Sequence, residues 1–308
     1  MRPYRYHRID VFTERPFSGN PLAVFPTAQG LDTDTMQAIA REMNLSETTF
    51  VLPPQRKGPA ARLRIFTIDR ELPMAGHPVV GTAYALAVTR ALELRAGRNQ
   101  VSFELGAGVL PVVIDVDGEV PTTVFMTQNA PQLGCTVTDG NALAAALSLA
   151  PDQLGLDTLP ARVVDTGIPW FLIPVRDQRA LRQVRADARA CSALAAQVGT
   201  DLFHAFTQDT GDPGCAVRTR HVWWGTVTPG EDPVTGSAIG CIAAYLVDAG
   251  VLLAAPEAEL LIEQGHEVGR PGQVTARVLT SGGKVTRVQV GGRAVHVGNG
   301  ELWLRDDS

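Results

Sequence analysis

The sequence predicts an α+β fold built as two domains. At 308 residues the chain is long for one hydrophobic core and comfortable for two domains of ordinary size. Strand-like and helix-like segments are mixed along it without regular β-helix-β alternation, which favours α+β over a doubly wound parallel sheet. There is also an internal echo: "GHPVVGTAYAL", from Gly76, returns as "GSAIGCIAAYL", from Gly236. Two halves of similar size, each with one small-faced helix at a similar place, read as a duplicated domain. The Ala/Gly/Leu texture common to buried helices is the competing account.

The elements follow in order. "YHRIDVF" alternates apolar and polar residues, turns at "SGNP" and resumes at "LAVF", the pattern of a strand hairpin. In "LDTDTMQAIAREMN", Met36, Ile39, Ala40 and Met43 fall at helical spacing, with Asp32 as the cap. Strands are expected at about 48–52 and 62–68, then a small-residue helix over about 76–92. "VSFEL", "VLPVVIDV" and "TTVFMT" are three further strands. A Pro- and Gly-containing loop around 129–140 separates the halves. Beyond it come helices near 141–148 and 188–198, strands near 161–165, 170–175, 202–207 and 215–222, a helix over about 236–250, and hairpins with Gly-Gly turns. The expected domains are 1–128 and 129–292, and the strand near 293–305 is a candidate for return to the first.

Composition narrows the function. Net charge is −5, from 27 basic and 32 acidic residues, without a Lys/Arg cluster. That argues against nucleic-acid binding or docking on an anionic membrane. No apolar run approaches the ~18–20 residues needed to span a bilayer, and "MRPYRYHRIDVF" lacks the apolar core of a secretion signal. Cys135, Cys191, Cys215 and Cys241 show no metal-ligand spacing. Reduced thiols in a cytoplasmic protein, with no metal, are the simplest expectation.

Candidate chemistry gathers at the two echo segments. A helix that starts with Gly and small side chains presents backbone N–H groups and a positive dipole end, a place for a carboxylate. Gly76 and Gly236 serve equally as tight turns. His77 stands at the first start, and "GEDPVTGSA" brings Glu231, Asp232, Thr235 and Ser237 to the second. Each alone reads as a cap or turn former; together they make a polar constellation. Glu47, in "NLSETTFVLPP", is an acid set where the chain enters a core strand. Desolvated there, its proton affinity would rise and it could exchange protons near neutral pH. A surface turn is the bland alternative.

Several stretches taken together resemble the PhzF family of phenazine biosynthesis proteins, relatives of diaminopimelate epimerase. They are "DVFTERPFSGNPLAVF" (10–25), "IAREMNLSETTFV" (39–51), "RIFTIDRELPMAGHPVVGTAYAL" (64–86), "EDPVTGSA" (231–238) and "EQGHEVGRPG" (263–272). The resemblance implies two pseudosymmetric domains, each a β-sheet wrapped around a central helix, with the active site between them. It implies a homodimer working without cofactor on a small-molecule carboxylate. It casts Glu47, His77 and Asp232 as catalytic, and Asn20, Gly76, Thr235, Gly236 and Ser237 as substrate-binding.

The implied reaction is isomerisation of trans-2,3-dihydro-3-hydroxyanthranilate, with Glu47 as acid and base. The epimerase branch instead uses a cysteine at each helix start, where this chain has Ala75 and Thr235. Cys241 lies a turn further along and reads as packing. Where relatives read Arg, an apolar residue and Phe-Ala-Pro before the acidic motif, this chain has "HVWWGTVTPG" (221–230). Trp223 and Trp224 are expected to pack in the core or an interface, and the departure leaves the substrate open. The alternatives are an epimerase or dehydratase of a small amino acid, or a catalytically silent binding protein.

Overall fold

A computed structural model describes residues 1–157, 159–225, 230–252 and 256–305. It contains two units, Met1–Thr127 with Gly291–Ser308, and Gln128–Val290.

The first unit begins with β1 (Arg2–Val11) and β2 (Asn20–Phe25), followed by α1 (Thr33–Met43), β3 (Glu47–Leu52), β4 (Ala61–Phe66) and the short β5 (Glu71–Leu72). Then come α2 (Gly76–Val88), β6 (Gly97–Leu105), β7 (Gly108–Asp117) and β8 (Val120–Gln128). Asp32 caps α1 by accepting the Thr35 N–H at 2.7 Å, and Met36, Ile39 and Ala40 form its buried face. That face closes a core with Phe25, Phe50 and Phe66. The Phe50 ring stacks on Phe25 at 5.0 Å and meets Phe66 edge-on at 5.5 Å. α2 is different: apart from Tyr84 and Val88 it is buried throughout, and it packs on β1, β2, β3 and β7. A helix apolar on every face belongs inside a sheet.

The second unit runs β9 (Gln132–Val137), α3 (Gly140–Leu147), β10 (Ala161–Asp165), β11 (Pro169–Pro174), α4 (Gln178–Gln183), α5 (Ala188–Val198), β12 (Phe203–Thr207) and β13 (Val217–Val222). It continues with α6 (Gly236–Asp248), β14 (Glu257–Gln264), β15 (Gly272–Ser281) and β16 (Lys284–Gly292). α6 is buried along most of its length against β10, β11 and β15. The last strand, β17 (Ala294–Leu304), pairs antiparallel with β1 from Arg2 opposite Leu304 to Val11 opposite Ala294.

Strand pairing repeats between the units. In the first, β1–β2 is antiparallel, β2–β3 parallel, β3–β4 antiparallel, β4–β6 parallel and β6–β7 antiparallel. In the second, β10–β11, β11–β12, β12–β13, β13–β14 and β14–β15 follow the same alternation. The helices α2 and α6 occupy the same step of the series. The echo between their sequences therefore reflects a duplicated topology, and the fold is α+β and rich in sheet.

Some expectations need correction. The stretch around 129–140 is not all loop, because Gln132–Val137 pairs with β10. α4 was not anticipated; six residues are too few for a helical period to show. α2 and α6 stop at Val88 and Asp248, short of the expected 92 and 250. Gly282 and Gly283, both at positive φ, make the two-residue link between β15 and β16. The second Gly-Gly pair instead continues β16, and a side chain at Gly291 would collide with the Val124 carbonyl.

Gly240 allows a comparable close approach on α6. A Cβ there would run into the Gln128 amide, which donates to the Gly236 carbonyl at 3.2 Å and accepts from Thr166 at 2.9 Å. Gly240→Ala is expected to destabilise the protein by about 1–3 kcal/mol by displacing that buried amide. Urea unfolding of the variant beside the parent chain checks it, and an unchanged midpoint would contradict the account.

Candidate functional site

In the first unit, Asn20 opens β2 and Glu47 opens β3. The parallel register sets Glu47 opposite Leu22, so the two polar residues begin neighbouring strands. His77 is the second residue of α2, the helix packed against both. Tertiary pairing thus gathers three residues that lie far apart in the chain. The Asn20 amide donates to His77 Nδ1 at 3.2 Å, and His77 Nε2 stands 3.3 Å from a carboxylate oxygen of Glu47.

Because Nδ1 accepts, the ring proton sits on Nε2, the nitrogen nearer Glu47. Burial drives the His77 pKa down to about 3, so the imidazole is neutral at ordinary pH. The contact is therefore a neutral N–H set beside a carboxylate and not an ion pair. Asn20 and His77 are buried, while the Glu47 side chain keeps 16% of its surface exposed. That exposure leaves the acid a route to meet a ligand.

In the second unit the loop before α6 is tied from several directions. The Thr235 hydroxyl donates to the Asp232 carboxylate at 2.6 Å. Gln264, at the end of β14, donates to the Asp232 carbonyl at 2.8 Å and accepts the Thr235 N–H at 2.9 Å. His221 Nδ1 accepts the Asp232 N–H at 3.0 Å. Ser237 is the second residue of α6, as His77 is of α2, and its hydroxyl oxygen accepts from Trp170 Nε1 at 3.1 Å. Glu231 does not share a role with Asp232. It turns back into a two-pronged pair with Arg220, both contacts at 2.8 Å.

The helix starts differ from the rest. Aspartates 32, 139, 177 and 187 cap α1, α3, α4 and α5. α2 and α6, preceded by Ala75 and Thr235, have no side-chain cap, so Gly76 and Gly236 open onto backbone N–H groups that no capping side chain takes. Thr235 spends its hydroxyl on Asp232. Neither position can act as a thiol base. Cys241 is buried beside Thr166 with its thiol pushed up to about 12 by desolvation, which fits packing and not proton abstraction.

The sequence reading missed Trp170, His221 and Gln264, whose roles come from tertiary contact. Gln264 and His221 did lie inside the quoted "EQGHEVGRPG" and "HVWWGTVTPG", without a role of their own. Trp224 packs against Phe203 at 4.7 Å, whereas Trp223 is 41% exposed with its ring 5.9 Å from His221. Residues 226–229 of "HVWWGTVTPG" lie outside the described residues. Among the described residues no group of three or more His, Cys, Asp or Glu is placed to hold a metal ion, and no helix is long and apolar enough to cross a membrane.

Three buried imidazoles make stability depend on pH. Burial lowers His77 to about 3 and His221 to about 4, and holds His204 well below its usual value. The unfolded chain binds these protons below about pH 6.5 and the folded chain does not. Stability is therefore complete above that pH and falls as the medium is acidified toward the folded-state values. His77 and His221 each remove about 1.4 kcal/mol per pH unit in that window, or about 2 kcal/mol between pH 6.5 and 5. Urea unfolding at pH 7 and pH 5 is expected to show the loss, and His204→Leu to shrink the difference. Equal differences in parent and variant would refute it.

A family profile described as "Phenazine biosynthesis-like protein" (PhzC-PhzF) matches residues 9–300. An uncharacterized isomerase of Mesorhizobium japonicum is 38% identical over 99% of this chain and 100% of its own length. The trans-2,3-dihydro-3-hydroxyanthranilate isomerase of Pseudomonas aeruginosa is 34% identical over 98% of this chain and 100% of its own. Among solved structures, the Bacillus anthracis phenazine biosynthesis protein of the PhzF family superimposes with a TM-score of 0.88 at 29% identity, covering 99% of this chain and 100% of that one. With its pairing order, its two uncapped central helices and these full-length similarities, the chain belongs to the phenazine biosynthesis-like (PhzC-PhzF) family and is an isomerase of that family.

Proposed function

We propose that this isomerase moves a proton within a small cyclic amino- or hydroxy-carboxylic acid, with Glu47 as both base and acid. The observation that carries the reading is the Asn20–His77–Glu47 cluster, in which a buried neutral imidazole stands 3.3 Å from a partly exposed carboxylate. A carboxylate beside a fixed neutral donor can take a proton from carbon and return it to another carbon of the same molecule. The balance closes without a second reactant: one C–H bond breaks, the double bonds shift, and one C–H bond forms.

On this reading Asp232, Thr235 and Ser237 hold the polar substituents of the substrate, and the amides at Gly76 and Gly236 attract its carboxylate. The relative from Pseudomonas aeruginosa named for trans-2,3-dihydro-3-hydroxyanthranilate makes that compound, or a close analogue, the first substrate to try. Two-thiol racemisation has no residues to perform it at Ala75 and Thr235. A homodimer and a cytoplasmic setting belong to the same reading.

Glu47→Gln keeps the size and hydrogen-bonding reach of the side chain and removes its basicity. It is expected to lower turnover of trans-2,3-dihydro-3-hydroxyanthranilate by about 10²–10⁴-fold, with the unfolding midpoint unchanged. Proton NMR in deuterated solvent follows both product and deuterium uptake at carbon. A Gln variant with parental activity would remove Glu47 from the mechanism.

A further inference from the structure

β13 ends near Arg220 and His221, neighbours whose side chains leave opposite faces of the strand. Both reach the loop that leads into α6. Arg220 clasps the Glu231 carboxylate, and His221 takes the N–H of the next residue, Asp232. Successive residues of one strand thus hold successive residues of the loop.

A backbone N–H can only donate, so His221 carries its lone pair on Nδ1 and its proton on Nε2. The ring has little freedom to turn away. It is 8% exposed, lies edge-on to Trp170 at 5.7 Å, and stacks over His204 at 6.2 Å with 21° between the planes. Trp170 in turn donates to Ser237, so the same aromatic wall touches the loop and the helix start.

We propose that His221 is a positioning residue of this enzyme: by accepting the Asp232 N–H on a ring walled in by Trp170 and His204, it sets where the Asp232 carboxylate stands. The proposal rests on Asp232 meeting substrate, as in the preceding reading, but it concerns another residue and is read by another measurement. Thr235 holds one Asp232 oxygen and Gln264 its carbonyl. The amide is the third tether, and it fixes the backbone from which the side chain springs. Without its acceptor the half-buried N–H must find another partner, and the loop shifts to provide one. A displacement of about 1 Å in such a group costs roughly 10²-fold in rate.

His221→Asn places an amide oxygen near the position of Nδ1 and can accept the same N–H, whereas His221→Phe keeps the ring and removes the acceptor. Crystal structures of both full-length variants are expected to show the Asp232 carboxylate in place with Asn and moved by about 1 Å with Phe. With trans-2,3-dihydro-3-hydroxyanthranilate as the probe, kcat/KM falls about 10²-fold in the Phe variant, while the Asn variant stays within about threefold of the parent. An unmoved Asp232 in the Phe variant, or equal impairment of both variants, overturns the proposal. If the parent does not turn this compound over, the substrate reading fails while the crystal structures still decide the role of His221. If the Phe variant does not fold, nitrogen-15 NMR of the parent decides: an unprotonated Nδ1 supports the assignment and a protonated one overturns it.

Discussion

The near-complete burial of α2 and α6 governs where this protein can keep polar groups. A helix with little solvent face has its free backbone polar groups at its ends, and the packing that buries it demands small residues along its length. Gly81 shows the demand directly, since a Cβ there would stand 2.6 Å from both Leu22 and Val11. The four other α-helices among the described residues satisfy N–H groups of their first turn with an aspartate. These two do not, and polar side chains collect at their first turns instead. His77 and Ser237 hold equivalent second positions, and each is engaged by a residue from elsewhere in its own unit, Asn20 in one case and Trp170 in the other.

Charge around the second of these turns is largely committed. Arg220 holds Glu231, Arg218 holds Glu267 at 3.0 Å, and His266 lies 3.0 Å from Glu263. The two arginine pairs, being buried, add little net stability, because desolvation offsets the attraction, but each fixes a segment in one arrangement. The imidazoles work in the opposite way. His77, His204 and His221 stay neutral because burial forbids their charge, and the tautomers of His77 and His221 are set by the donors that face their Nδ1 atoms.

Much of this was legible in the residues themselves. The 3.6-residue spacing of Met36, Ile39 and Ala40 behind Asp32 located α1, and the echo at Gly76 and Gly236 located the two central helices. Local motifs carried over well, since "EDPVTGSA" contains Asp232 and Thr235 and the hydrogen bond between them. Reading failed where the cause was not local. β9 is a strand because β10 lies beside it, although its own sequence contains loop formers. Asn20, Glu47 and His77 meet only through the parallel register of β2 and β3, and no periodicity announces that meeting; the family resemblance pointed to all three. Trp170 and His221 had no such pointer, because each contacts the loop at 231–237 from a distant strand.

The pairing of β17 with β1 has a consequence for biogenesis. The strand that completes the first unit follows the whole of the second in the chain, so the unit whose residues emerge first waits until residue 304 has been made. Joining ends nearly 300 residues apart costs about 5 kcal/mol in closure entropy beyond a constant term if the intervening chain is flexible. A nascent chain stalled before residue 294 leaves one edge of β1 unpaired, a template for aggregation.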